Sequence, residues 1–249
     1  MRLSLLVFVF GILLISATFA RFSFATHNDL KYHFVSNNNN NNNNNDNNDN
    51  NDDFRLQICC SWSTKLSDGI LKYSINAKNE EKREVIVNAI KEWDRKIEGL
   101  QLVEEQNPKA SDIQIVFDNL DDDKTGNQYY NFKNKVDEDL TLIPSAGWTQ
   151  FNFDKKGFIE STKTIISADV IEKGFDDYLI EQIAKHEIGH ALGLGHSNNE
   201  RSLMANLVLE DKTATISECE INGVFAANSW KLIQSKQNPE YPQRIFVIC

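Results

Sequence analysis

The sequence predicts an α+β domain in which a twisted, mixed sheet packs against long helices. Two segments alternate apolar and polar residues, as strands with one buried face do: Leu71–Ile75 (LKYSI) and Asp112–Phe117 (DIQIVF). Between them, apolar residues recur every four positions over Glu80–Glu98, which predicts an amphipathic helix that Gly99 ends. A second long helix is expected to end near Leu192, and the histidine-rich segment of the chain begins on it.

The elements before the second long helix follow from the same patterns. Further strands are expected over Leu140–Phe153 and Thr162–Ala168, joined by a polar turn at Asp154–Gly157. Asp176 or Asp177 then caps the histidine-bearing helix. Apolar residues at helical spacing line its predicted buried side, namely Ile180, Ala184, Ile188 and Ala191.

The predicted domain covers residues 54–228 and closes with a third helix, which opens at the capping box of Ser217 and Glu220. Its length, about 195 residues with the tail included, suffices for one domain with a proper core. The tail, residues 229–249, is expected to lie along the surface. Residues 26–53 are predicted to be a disordered spacer, because Ser36–Asp53 is almost pure Asn and Asp and has nothing to bury.

The first 25 residues have the features of a secretory signal. Arg2 precedes the uncharged apolar run Leu3–Ala20, and small residues allow cleavage after Ala20 or Ala25. The run is also near the length that spans a bilayer, so an uncleaved N-terminal anchor is the alternative. Either interpretation places the domain outside the cytoplasm, secreted or on the extracellular face of the membrane.

Charge narrows the range of partners. The net charge of −10 at pH 7 argues against nucleic acid, and no basic helix suggests contact with a membrane surface. The protein is expected to be a monomer. Its only contact with a membrane would be a retained N-terminal anchor.

The four cysteines, Cys59, Cys60, Cys219 and Cys249, predict disulfides, because the count is even and the chain is expected to be exported. Adjacent cysteines rarely pair with each other, since the bridge strains the peptide between them. We therefore expect Cys59 and Cys60 to pair with Cys219 and Cys249, in an order that stays open. Such bridges would tie the start of the domain to its third helix and to the final residue.

The segment HEIGHALGLGH has the spacing of a metal site. His186 and His190 are four residues apart, so on a helix both rings lie on one face and can bind one zinc ion, with Glu187 beside them as general base. A third ligand requires the chain to turn, and Gly193 permits that turn before His196. Three neutral histidines leave the fourth tetrahedral position of zinc for water, as in catalytic sites.

Chance and core packing are the competing explanations of this segment. An isolated His-Glu-x-x-His arises by chance in ordinary helices, and a buried histidine is often a satisfied core residue. Neither explanation accounts well for two histidines, a turn glycine and a third histidine at fixed positions. The pattern therefore favours metal binding.

These residues carry a family resemblance. HEIGHALGLGH fits the zinc-binding consensus of the metzincin metallopeptidases, and the residues after it resemble the matrixin, or matrix-metalloproteinase-like, branch. Ser197 follows the third histidine as in matrixins, and Ser202-Leu203-Met204 resembles the Ala-Leu-Met of their Met-turn. The resemblance implies that Met204 packs beneath the zinc site and is not a ligand.

The resemblance implies a zinc-dependent endopeptidase that hydrolyses peptide bonds of extracellular proteins or peptides. Glu187 would take a proton from the zinc-bound water as that water attacks the carbonyl, and then pass the proton to the leaving amine. One alternative is a degenerate metzincin that acts as a zinc-stabilised cell-surface binding module, although such proteins usually lose the glutamate. A zinc amidase or esterase has the same ligands.

Several family features are missing or uncertain. No histidine lies between residues 34 and 185, so the second, structural zinc of animal matrixins is not expected. There is no Pro-Arg-Cys-Gly propeptide motif, which predicts activity without proteolytic activation. Matrixins also use calcium, and the acidic loop 118–127 is a candidate site for it, although solvated charge explains the loop better.

Substrate is expected to lie beside an edge strand. Ile143–Gln150 (IPSAGWTQ) precedes the histidine-bearing helix, and its Pro144 and Gly147 suit an edge position. An extended peptide could pair with this edge by backbone hydrogen bonds. Met204–Leu209 would then shape an apolar pocket on the primed side of the cleaved bond.

Overall fold

The computed structural model describes residues 53–118, 146–168, 174–206 and 215–249. These ranges form two sheets and the helices packed against them, which confirms the predicted α+β fold. In chain order the elements are β1 (Arg55–Ile58), β2 (Ile70–Asn76), α1 (Glu80–Lys96), β3 (Gln101–Glu104), β4 (Ile113–Asp118), β5 (Gly147–Phe153), β6 (Ile159–Ser167), α2 (Asp177–Ala191), β7 (Leu194–Ser197), α3 (Glu218–Ala227), α4 (Ser229–Leu232) and β8 (Phe246–Ile248).

The larger sheet is mixed, with the strand order β3-β2-β4-β6-β5. Strands β3, β2, β4 and β6 run parallel, whereas β5 is antiparallel to β6 and ends the sheet. Strands β2, β4 and β6 lie where alternation predicts them, and α1 is the crossover between β2 and β3 that parallel pairing requires. The predicted strand Leu140–Phe153 is confirmed over Gly147–Phe153, and its first residues lie outside the described ranges.

Helix α1 joins the sheet to the histidine-bearing helix. Asn79 caps its start by accepting a hydrogen bond from the backbone of Lys82, and the helix ends at Lys96, two residues before the predicted end. One side is buried, and the Trp93 indole on that side donates a hydrogen bond of 3.0 Å to the backbone oxygen of Lys185 in α2. α1 therefore packs directly against α2.

Helix α2 lies in the core of the domain. Its cap is Asp176, whose side chain accepts a hydrogen bond of 2.8 Å from the backbone of Leu179. The four residues predicted to line the buried side are all buried, namely Ile180, Ala184, Ile188 and Ala191. Lys185 is also buried, where its ammonium lies 2.5 Å from Glu92 and 2.7 Å from Glu181. With packing on so many sides, α2 is a rigid platform for the residues that it carries.

The tail differs from its prediction. Residues 233–245 lie at the surface as expected, but the tail also contributes the short helix α4, whose Trp230 is fully buried, and the strand β8. β8 pairs antiparallel with β1, which itself pairs with β7, so the tail completes a second, three-stranded sheet. The expected surface location was therefore wrong for Trp230, while in the edge strand β8 only Val247 is buried.

The predicted disulfide pairing was also wrong. The structure pairs Cys59 with Cys60 and Cys219 with Cys249. The antiparallel register of β1 and β8 excludes a bridge between Cys59 and Cys249, because Cys249 donates its backbone N–H to Phe54, the residue before β1. Cys59 lies five residues further along, about 17 Å at the rise of a strand, which is beyond the reach of a disulfide. The Cα atoms of Cys219 and Cys249 are 5.2 Å apart, so the bridge joins the tail to α3.

Several predictions concern residues outside the described ranges. These are the signal peptide or anchor, the Asn-rich spacer, most of the loop 118–127 and the end of the Met204–Leu209 segment. Among the helices that the structure describes, none is long and apolar enough to cross a membrane.

Candidate metal centre

Helix α2 places His186 and His190 side by side, one turn apart, with their inner ring nitrogens anchored to the backbone. His186 Nδ1 lies 2.7 Å from the carbonyl oxygen of Leu203, and His190 Nδ1 lies 2.9 Å from that of Leu194. A carbonyl oxygen can only accept, so each Nδ1 carries the ring proton and donates it. Each Nε2 therefore has a lone pair available for a metal ion.

The third histidine reaches the same point because the chain reverses at Gly193. This residue has a φ of +101°, and a Cβ on it would lie 2.4 Å from the backbone oxygen of Cys60. Only glycine fits both conditions, which confirms the predicted turn. Strand β7 follows at once, is held in register by β1, and carries His196 back toward α2.

The three rings converge on one point. One ring nitrogen from each of His186, His190 and His196 lies within 4.8 Å of the others, and the Nε2 atoms of His186 and His190 are 3.1 Å apart. Two lone pairs that face each other at this distance repel unless a cation lies between them. Tetrahedral zinc, with Zn–N distances of about 2.05 Å, separates its ligand atoms by about 3.3 Å. The donor set therefore fits a zinc ion, and the distance between His186 Nε2 and His190 Nε2 is close to that of two zinc ligands.

Burial keeps these rings in the form that binds metal. Burial, together with the nearby charge of His190, holds the pKa of His186 well below its usual range. Burial likewise lowers the pKa of His190 to about 4 and lowers that of His196. All three imidazoles are consequently neutral at pH 7, and no proton has to leave before a metal ion binds.

Glu187 lies between the two α2 histidines in sequence, and its carboxyl faces strand β5. The side chain is 5% exposed, and burial raises its pKa to about 8, although a hydrogen bond from Thr149 opposes the increase. Thr149 Oγ1 lies 2.8 Å from Glu187 Oε2. Gly147, two residues earlier on the same face of β5, leaves space for the carboxyl, because a Cβ there would lie 2.7 Å from Glu187 Oε1.

The sequence did not identify Gly147 or Thr149 as partners of Glu187. Ile143–Gln150 was singled out only as an edge strand, and nothing in an alternating strand marks one threonine as a hydrogen-bond donor. The contact joins residues 38 positions apart and depends on how α2 packs across the end of the sheet.

The segment after His196 returns beneath α2 and fixes the first histidine. Ser197 donates its backbone N–H to the carbonyl of Met204 at 2.7 Å, and the neighbouring carbonyl of Leu203 anchors His186. Met204 is fully buried, and a Cβ on Gly189 would lie 2.5 Å from its Sδ. Met204 is therefore packed directly against the turn of α2 that carries the histidines, as predicted.

Helix α3 holds this segment in place. The predicted capping box is present, with Glu220 Oε2 accepting a hydrogen bond of 3.0 Å from the backbone of Ser217. Its other oxygen, Oε1, accepts a bond of 2.6 Å from Ser202, whose hydroxyl in turn accepts the backbone N–H of Met204 at 3.0 Å. Ser202, which stands where matrixins carry alanine, thus joins α3 to the turn that positions His186.

The chain is similar to one family of peptidases and to two solved structures. The family model of matrixin peptidases matches residues 61–227, while no curated protein matches the chain. Among solved structures, two of myroilysin are similar, each with a TM-score of 0.34. One is 13% identical and covers 57% of this chain and 52% of myroilysin; the other is 12% identical and covers 63% and 60%. The chain thus spans only about half to three fifths of the length of these myroilysin chains.

The family match extends from the residue before Trp62, through the larger sheet and α2, to the last residue of α3. It includes the three histidines, Glu187 and the Met204 turn, and it covers most of the predicted domain. The resemblance inferred from the histidine segment is thereby confirmed over the domain as a whole. The chain belongs to the matrixin family of metallopeptidases.

Proposed function

We propose that this protein is a zinc-dependent endopeptidase in which His186, His190 and His196 hold one zinc ion and Glu187 is the general base. One observation carries the proposal: three neutral ring nitrogens converge within 4.8 Å, and the carboxyl of Glu187 is buried beside them. A single zinc ion satisfies this donor set. Calcium has no support from the described residues, because the acidic loop proposed for it lies almost entirely outside them.

The chemistry divides between the metal and the chain. When bound, zinc supplies Lewis-acid chemistry, which activates a water molecule and polarises the carbonyl of the peptide bond. Glu187 accepts a proton at its carboxylate and returns it to the leaving amine. Burial raises the pKa of this carboxyl to about 8 without a metal ion, and the charge of a bound zinc ion would favour the carboxylate form that accepts the proton. His186 and His190 stay oriented through their bonds to backbone oxygens.

Strand β5 offers a place for an extended substrate. It is the last strand of the larger sheet among the described residues, and it lies against α2 beside Glu187. The backbone of Ser167 in β6 donates to Ala146, so in the antiparallel register residues 146, 148 and 150 direct their backbone groups toward β6. Thr149 directs its backbone N–H and oxygen the other way, where an added strand could pair with them.

The first test of the function is cleavage by the purified wild-type protein. With one equivalent of zinc, it should cleave an unfolded protein and a peptide library, with products identified by mass spectrometry. A chelator should stop cleavage, and returned zinc should restore it. Stoichiometric zinc binding without any cleavage would instead favour the binding-module alternative. Hydrolysis confined to simple amides or esters would favour an amidase or esterase.

Backbone pairing along β5 predicts a particular response to modified substrates. Single N-methyl groups, placed in turn at each residue of a cleaved peptide, remove one N–H donor at a time. We expect KM to rise only for methyl groups at alternate residues, because successive N–H groups of a strand point in opposite directions. A rise at every position, or at none, would contradict pairing with β5. Unmethylated peptide and a peptide methylated at its terminus are the controls.

We further propose that the protein acts outside the cytoplasm. The apolar run that follows Arg2 supports export, and so does the disulfide between Cys219 and Cys249, since such bridges persist in oxidising compartments. The mass of the mature N-terminus separates a cleaved signal peptide from a retained anchor. A reduced, full-length protein confined to the cytoplasm would contradict this location.

A further inference from the structure

We propose that Thr149 is the positioning residue for Glu187: its hydroxyl holds one oxygen of the carboxylate and leaves the other to exchange the proton. This inference rests on the proposed role of Glu187 as general base. Strand β5 would then have two functions. It would pair with the substrate, and through Thr149 it would also hold the general base that acts on that substrate.

The direction of the hydrogen bonds follows from the atoms present. Thr149 Oγ1 lies 2.8 Å from Glu187 Oε2, 3.0 Å from the backbone oxygen of Glu187, and 3.2 Å from Thr164 Oγ1. Both oxygens of Glu187 accept, and a hydroxyl has one proton to donate. With the carboxyl ionised, Oε2 is both the nearer and the charged acceptor, so Thr149 donates to it and Thr164 donates to Thr149. The fully buried Thr164 thus turns the proton of Thr149 toward the base.

The opposite side of the carboxyl is fixed by Gly147. Residues 147 and 149 lie on the same face of β5 because side chains alternate along a strand. A Cβ on Gly147 would lie 2.6 Å from Cγ and 2.7 Å from Oε1 of Glu187, so the carboxyl lies directly against this backbone. With Oε2 held by Thr149 and Oε1 beside Gly147, the carboxyl has little freedom to rotate. Oε1 is the oxygen without a Thr149 contact, and we assign the proton exchange to it.

The size of the effect follows from the kind of bond. A hydrogen bond to a charged group contributes more than one between neutral groups, and loss of it from a buried base leaves an oxygen that water replaces poorly. We expect Thr149→Val to lower kcat roughly 10- to 100-fold. KM should stay within about twofold, because the valine side chain leaves the backbone of β5 unchanged.

The experiment compares four variants of the full, zinc-loaded protein. Thr149→Val removes the hydroxyl and keeps nearly the same side-chain shape, whereas Thr149→Ser keeps the hydroxyl. Thr149→Ala also removes the hydroxyl, and its smaller side chain serves as a second test if the valine variant does not fold. Thr162→Val is the matched control. Thr162 is buried on the same face of β6 as Thr164, and its hydroxyl has no hydrogen-bond partner among the described residues. For each variant kcat and KM are measured, together with zinc stoichiometry and the melting temperature.

The expected result is a loss of kcat in Thr149→Val and Thr149→Ala, recovery in Thr149→Ser to within about threefold of wild type, and an unchanged Thr162→Val. Zinc stoichiometry should remain one in every case. The proposal is overturned if Thr149→Val retains wild-type kcat, if the serine variant is no better than valine, or if Thr162→Val loses as much. These results are separable from failure of the proposed function, in which the wild-type protein itself shows no zinc-dependent cleavage.

Discussion

Glu187→Gln is expected to lower kcat/KM by about 10³-fold while the protein still binds one equivalent of zinc. Glutamine has the shape of glutamate but cannot accept a proton, so only the acid–base step is lost. The side chain is 5% exposed, which leaves little room for a water molecule to replace the carboxylate. His186 and His190 keep their anchors to the backbone oxygens of Leu203 and Leu194, and these do not involve Glu187.

The measurement pairs peptide hydrolysis with metal analysis on the same preparation. Glu181→Gln is the control, because it makes the same substitution on α2 and removes only one of the two carboxylates that face Lys185. It should cleave peptide at close to the wild-type rate. If Glu187→Gln stays within tenfold of wild type with its zinc in place, another group acts as the base.

Local pattern predicted the parts of the fold that depend on local physics. Each of these predictions needs only a few neighbouring residues of sequence: the four-residue spacing in α1, the alternation in β2 and β4, and the capping box at Ser217. The metal site was predictable for the same reason. His186, Gly193 and His196 are so close in sequence that one helix and one turn bring them together.

Long-range pairing explains what the sequence did not reveal. β1 consists of four residues and β3 is mostly exposed, so neither provides enough alternation to be recognised alone. β1 exists as a strand because β7 and β8 pair with it from far along the chain. The bridge between Cys219 and Cys249 joins α3 to the end of the chain across a separation of 30 residues. The contact of Thr149 with Glu187 likewise depends on the packing of β5 against α2.

Removal of zinc is expected to lower the melting temperature by about 10 °C as well as to abolish cleavage. A ligand that binds only the folded protein stabilises it by about 4 kcal/mol when its concentration is 1,000 times its Kd. For a domain of this size, each kcal/mol shifts the melting temperature by roughly 2–4 °C. A metal ion held by the three histidines would also join α2 to β7, and it would offset the repulsion between the Nε2 atoms of His186 and His190, which lie 3.1 Å apart.

His196→Ala separates this stabilisation from a general effect of zinc on the protein. The variant keeps α2 and its two histidines but loses the ligand on β7, so its melting temperature should no longer depend on added zinc at micromolar concentration, and cleavage should be lost. His33→Ala, outside the predicted domain, is the matched control and should respond to zinc as wild type does. A His196→Ala protein that binds zinc as tightly as wild type and keeps its zinc-dependent melting temperature would show that the ion is held elsewhere. If both variants lose the zinc dependence of the melting temperature equally, zinc binds at several weak sites. A defined site of three histidines requires His196 and does not require His33.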